Sequence, residues 1–185
     1  MTLELLLCLC CLPQDPQPGI SRELARARAA IVSDLACNLQ MRLEANAKEI
    51  QGRIALTFTL ASTRDPAAPL VLDFAGQDLA ELQVNEKPTT ARTVADHILI
   101  PADVLVNGYN RITAQFKSAV APTGTPLTSY RDPSDGREFY YTLVVPADAH
   151  RLYPCFDQPD LRTRFRLDLD LPADWIAVAN GAEMP

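Results

Sequence analysis

The sequence predicts an all-β domain, a sandwich or curled double sheet that carries one short helix near its start. Three observations predict it. From residue 35 onward apolar residues recur at every second position, the period of a half-buried strand. The apolar runs are short and bounded by turn residues, and the 15 prolines fall mostly between runs rather than inside them. One stretch alone follows helical spacing.

That helix covers Arg22–Ile31. Ser21 is placed to cap it and alanine is frequent within it. Leu24 and Ile31 would anchor its apolar side, while Arg22, Arg26 and Arg28 would face water. The period then changes to two. Leu35, Cys37, Leu39, Met41 and Leu43 alternate with polar or small neighbours, and Ile54, Leu56, Phe58 and Leu60 repeat the pattern. A long antiparallel pair is the simplest arrangement. Shorter strands follow at 70–74, 82–84 and 98–100, and again around Ile112, Ala114 and Phe116 after the Asn107-Gly108 turn. Residues 118–136, rich in Pro, Thr, Ser and Gly, read as a mobile loop. Next come a continuous apolar-aromatic strand at 139–145, an alternating strand through Phe165, Leu167, Leu169 and Leu171, and a last strand at 176–179. Roughly nine strands thus stand against one helix, which places the chain among sandwich-like folds. On this register Phe165 is buried where the chain re-enters the sheet.

The length allows one sizeable domain plus a tail: residues 20–185 as the β domain, and residues 1–19 as an apolar leader and linker. The run Leu5-Leu6-Leu7-Cys8-Leu9-Cys10-Cys11-Leu12 is too short to span a bilayer. It resembles the apolar centre of a secretory signal, although no Lys or Arg precedes it and no A-x-A site follows. A damaged signal or lipoprotein anchor and an accidental apolar start are both open. An envelope or secreted location therefore stands beside a cytoplasmic one. The net charge of −6 argues against nucleic acid or an anionic membrane surface as the main partner. Arg162, Arg164 and Arg166 read as a solvated strand face. Five cysteines without a C-x-x-C pair argue against a zinc finger or a dithiol redox site. Cys37 reads as a small buried hydrophobe.

The most distinctive stretch is Asp148-Ala149-His150-Arg151-Leu152-Tyr153-Pro154-Cys155-Phe156-Asp157-Gln158-Pro159-Asp160-Leu161-Arg162-Thr163-Arg164-Phe165. Physically it is a tight corner. Pro154 and Pro159 fix two φ angles, Asp157 and Asp160 can accept from nearby backbone N–H groups, and Phe156 has to pack inward. Read as chemistry, His150 could be a base and the two aspartates an acid–base pair; a structural histidine and turn-capping carboxylates are the preferred readings. The block resembles the D-A-R-R-x-F-P-C-F-D-E-P-x-x-K-A-x-F segment of the M1 zinc aminopeptidases. Residues 169–181, with Pro172, Trp175, Asn180 and Gly181, are similar to that family's V-P-x-x-W-x-A-V-S-N-G continuation. The resemblance covers about residues 20–185 and implies a saddle-like β-rich amino-terminal domain. Arg151, Pro154, Cys155, Phe156, Asp157, Gln158, Pro159, Phe165, Asn180 and Gly181 are the positions that carry it, in a structural role. Two departures stand out. Gln158 replaces the commoner Glu, and Leu143 and Val145 replace polar residues of a T-Q-x-E-P run that in many members help line the substrate pocket.

The resemblance also implies zinc in the full-length enzyme, held by H-E-x-x-H and a later Glu. This sequence has neither H-E-x-x-H nor a true G-x-M-E-N strand; Gly181-Ala182-Glu183-Met184-Pro185 has the wrong order. No catalytic, metal or substrate-binding residue is therefore assigned here, and the isolated chain is expected to be inert. The chain is expected to be a fragment whose partner is the missing catalytic domain of the same enzyme, with peptides as substrates of the whole. The alternative is a self-standing non-catalytic β-sandwich that binds a protein or peptide.

Overall fold

A computed structural model describes residues 15–183, so the apolar run at 5–12 lies outside the described residues. Helix α1 (Arg22–Ile31) begins at Ser21, whose hydroxyl accepts from the Leu24 N–H at 3.1 Å. It passes without a loop into β1 (Val32–Arg42), where Leu35, Cys37, Leu39 and Met41 are buried and the residues between them are not. The chain turns back as β2 (Glu49–Leu60), antiparallel to β1 with Cys37 opposite Leu56 and Leu39 opposite Ile54. The long antiparallel pair expected from the alternation is thus present.

Five short strands follow: β3 (Leu70–Asp73), β4 (Asp78–Val84), β5 (Lys87–Pro88), β6 (Arg92–Val94) and β7 (His97–Ile100). The long β8 (Gly108–Ala121) lies antiparallel to β2 over its whole length. Then come β9 (Leu127–Arg131), β10 (Glu138–Thr142) and β11 (Arg164–Asp170). The large sheet has the order β10-β9-β8-β2-β1-β11, with β4 also paired to β8 and β5 to β4. A small sheet, β3-β7-β6, packs over it. One hydrophobic core joins Leu72, Ile98 and Ile100 of the small sheet to Leu39, Leu56, Phe58 and Ile112 of the large one. The Phe74 and Phe116 rings meet edge to face at 6.1 Å between the sheets. Opposite Phe116 in the β2–β8 register sits Gly52, where a Cβ would lie 2.2 Å from that ring. The outer face of the large sheet is polar, with Asn38, Gln40, Arg53, Thr113 and Gln115 in adjacent rows. This is an all-β double sheet with one helix.

Three expectations are corrected. Residues 118–136 are not one loop: β8 continues to Ala121 and β9 lies inside the stretch, with Leu127 and Thr128 buried. Residues 176–179 form no strand, and Ile176 and Val178 are almost fully exposed. Phe165 is 49% exposed rather than buried. Its register is as expected, opposite the buried Cys37, but β11 is the sheet edge, so its core-side face is only partly covered. Its ring rests on Tyr153 at 5.9 Å. Phe165→Ala should therefore cost about 1.5–2.5 kcal/mol in urea denaturation, half of what a fully buried ring loses. A loss above about 3 kcal/mol would show that this edge is covered in solution.

Candidate functional site

The chemistry of the chain gathers where the 148–161 corner meets β3 and α1. Beyond β10 a 3-10 turn at Ala149–Arg151 leads into the buried Pro154. Cys155 then pairs with Asp73 as an isolated antiparallel bridge, through N–H···O bonds of 2.9 and 3.0 Å. The bridge turns Phe156 into the core, edge-on to Phe58 at 5.7 Å. The corner is therefore stitched to β3 by backbone as well as side chains.

Asp73 is the centre of the site and has no exposed surface. Arg28 donates to both of its carboxylate oxygens, at 2.8 Å to Oδ2 and with a second, shorter bond to Oδ1. The Asp157 backbone N–H donates to Oδ2 at 3.0 Å, and His97 Nδ1 lies 2.7 Å from Oδ1. His97 Nε2 faces the carbonyls of Gln17 and Gly19 at 3.0 and 3.1 Å. A buried carboxylate persists only with such saturation. Arg28 is 2% exposed, which overturns the expectation that the helix arginines all face water. Arg22 and Arg26 are exposed; Arg28 points the other way because a carboxylate 45 residues later waits for it. Its guanidinium also lies 5.6 Å from the Phe156 ring centre.

Gln158 is the second link to the helix. Buried, it donates to the Ala25 carbonyl at 2.9 Å and to Asp160 Oδ1 at 2.8 Å, while its own oxygen faces Arg28 Nη1 at 3.5 Å. Asp160 thus accepts from a side chain rather than from the backbone N–H expected of it. Asp157 does accept a backbone N–H, that of His150 at 3.1 Å, and the same oxygen takes His150 Nδ1 at 2.8 Å. Each aspartate thus has its own partner, His150 for Asp157 and Gln158 for Asp160. His150 is largely buried, and the Asp157 carboxylate raises its basicity above the ordinary 6.5, against the opposing pull of burial.

Beside this cluster lies a half-open cavity of about 200 Å³, lined by Cys37, Tyr153, Cys155, Asp157, Thr163 and Phe165 among others. Both of its thiols are held in the protonated form. Burial pushes the Cys37 thiol up to about 12 and raises Cys155 well above its ordinary value. The other motif residues lie outside the cluster. Arg151 is exposed, donating to the Gly124 carbonyl at 2.7 Å and to Asp148 at 3.3 Å. Pro159 is exposed, and Asn180 and Gly181 lie in the irregular segment after β11. Leu143 and Val145, in the segment just past β10, are 62% and 72% exposed, and Phe139 and Tyr141 of β10 are about half exposed. The sequence reading missed Arg28, Asp73 and His97, which no short-range spacing marks.

A family profile described as the peptidase M1 N-terminal domain matches residues 34–185. The chain belongs to this family. Aminopeptidase N of Streptomyces lividans is 24% identical over 165 residues, covering 89% of this chain and 19% of that protein. Aminopeptidase M1 of Arabidopsis thaliana is 25% identical over 69% of this chain and 17% of its own length. An M1 zinc metallopeptidase from Deinococcus radiodurans superposes with a TM-score of 0.63 at 19% identity, over 82% of this chain and 35% of that one. Leukotriene A4 hydrolase from Saccharomyces cerevisiae does so at 0.65 and 17%, over 84% and 26%. Those two structures establish the fold alone. The chain spans about a fifth of the curated relatives' length, the amino-terminal part. The residues of this M1 domain do not fit a zinc site. Among the described residues no three His, Cys, Asp or Glu side chains converge as ligands, and both histidines already face carboxylates.

Proposed function

We propose that this chain acts as the amino-terminal domain of a zinc aminopeptidase that removes amino-terminal residues from peptides. In that enzyme it would dock on the zinc-bearing domain and help close the substrate cleft. The match over residues 34–185 carries this reading. A surface feature supports the docking: Phe139 and Tyr141 on the edge strand of the large sheet, and Leu143 and Val145 just past it, are half to mostly exposed, with Tyr130 beside Phe139 at 6.3 Å.

Antibody capture from source cells followed by mass spectrometry of the recovered polypeptide tests the proposal. The expected product is a chain several times longer that contains H-E-x-x-H and hydrolyses aminoacyl-anilides until a chelator is added. A 20.3 kDa product with no such continuation and no hydrolysis would sink it. That outcome would favour a self-standing binding module.

A further inference from the structure

At the head of the corner His150 stands beside Arg151. An arginine there is a permanent cation; an imidazole is a cation only when protonated. The structure shows what that cation faces. One oxygen of Asp157 receives both the His150 backbone N–H, at 3.1 Å, and the ring Nδ1, at 2.8 Å. Asp157 in turn gives its own N–H to the buried Asp73, and Gln158 beside it reaches the helix. The His150 carbonyl accepts from Ala75, just past β3, at 2.9 Å. His150 thus closes the corner on itself and ties it to β3.

We propose that His150 and Asp157 form a pH-operated latch, which holds the 148–161 corner against β3 and helix α1 and loosens when the imidazole loses its proton. The groups that act on the ring are all acidic: Asp157 on the corner, Asp73 from β3 and Asp96 from the turn before β7. Arg28, from α1, is bound to Asp73, and Arg151 is turned away to Asp148 and Gly124. His97 faces the same cluster from β7, but both of its ring nitrogens are enclosed by acceptors within the fold. For His150 only the Nδ1 contact is made among the described residues. The folded value is raised, so the latch's contribution is fully present below pH 6.5 and is lost as pH rises through the higher, folded value. A neutral ring with its proton on Nδ1 still donates to Asp157. The latch therefore slackens rather than breaks.

Two measurements on the full chain test this. The first is NMR titration of the histidine rings. His150 should titrate above 6.5 and move down in Asp157→Asn. The second is maleimide labelling of Cys155, which is half-buried in the corner and bridged by its backbone to Asp73, followed by peptide mass mapping and normalised to a free cysteine peptide at each pH. From about pH 5.5 to 8.5 the normalised rate should rise by roughly threefold or more as local opening becomes easier. His150→Arg should hold it flat at the low value, and His150→Gln flat at the high one. The proposal is overturned if His150 titrates at or below 6.5, or if wild-type labelling is flat. It is equally overturned if the rise persists in His150→Arg, which would place its origin in His97 or elsewhere.

Discussion

Arg28→Met should destabilise the domain by about 3–5 kcal/mol. The methionine fills most of the same volume, so the loss is electrostatic in origin. It leaves the Asp73 carboxylate, with no exposed surface, short of its bidentate cation. For a domain of this size that is a fall in Tm of roughly 6–20 °C. The same substitution in an Asp73→Asn background should cost about 1–3 kcal/mol less, because the buried charge is already gone. Urea denaturation of the four proteins of this cycle measures both quantities. A loss under about 1 kcal/mol for Arg28→Met would mean that water reaches Asp73 in solution.

Phe156→Ala should follow closely, at about 3–5 kcal/mol. The ring is 6% exposed and sits between the edge of Phe58 and the Arg28 guanidinium. Its removal opens a cavity under the corner and takes away the aromatic face on which the guanidinium rests. The losses of Phe156→Ala and Arg28→Met should therefore not add: the double variant should be less unstable than the sum by about 0.5 kcal/mol or more. Phe156→Leu, which keeps much of the volume, should cost about half as much. A loss under about 1 kcal/mol for the alanine variant would show that the corner collapses into the space or is already mobile.

Most of the sheet was legible in the sequence because burial on one face of a strand imposes a period of two. Residues 35–43 and 54–60 display it without interruption, and the structure buries the residues that it selects. β9 was hidden because Pro126 and neighbouring Thr and Ser give its beginning the composition of a turn. Residues 176–179 misled in the opposite sense. A β-like pattern does not make a strand without a neighbour to bond to, and none of the described residues offers one. Phe165 shows that alternation gives the face a side chain occupies but not whether anything covers that face. The site was legible only by half. The corner stands out through its prolines, aromatics and aspartates. Arg28 looks like any arginine on a short amphipathic helix, because the Asp73 carboxylate that draws it inward and the Gln158 amide that faces it lie far along the chain.

That separation has a consequence for synthesis. Arg28 and Gln158, whose side chains face each other in the finished fold, are 130 positions apart. At about 5–20 residues per second, roughly 7–26 s elapse between the making of one and the making of the other. Throughout that interval helix α1 is outside the ribosome, or close to it, with a guanidinium that has no corner to receive it. β1 likewise waits for β11, its parallel neighbour from the far end of the chain. The hairpin of β1 and β2 and the Arg28–Asp73 pair can form from residues made early, whereas the corner that covers that pair and one whole sheet border close only when the last fifth of the domain arrives. A nascent chain stalled before residue 155 should therefore be compact in its middle and open at its beginning.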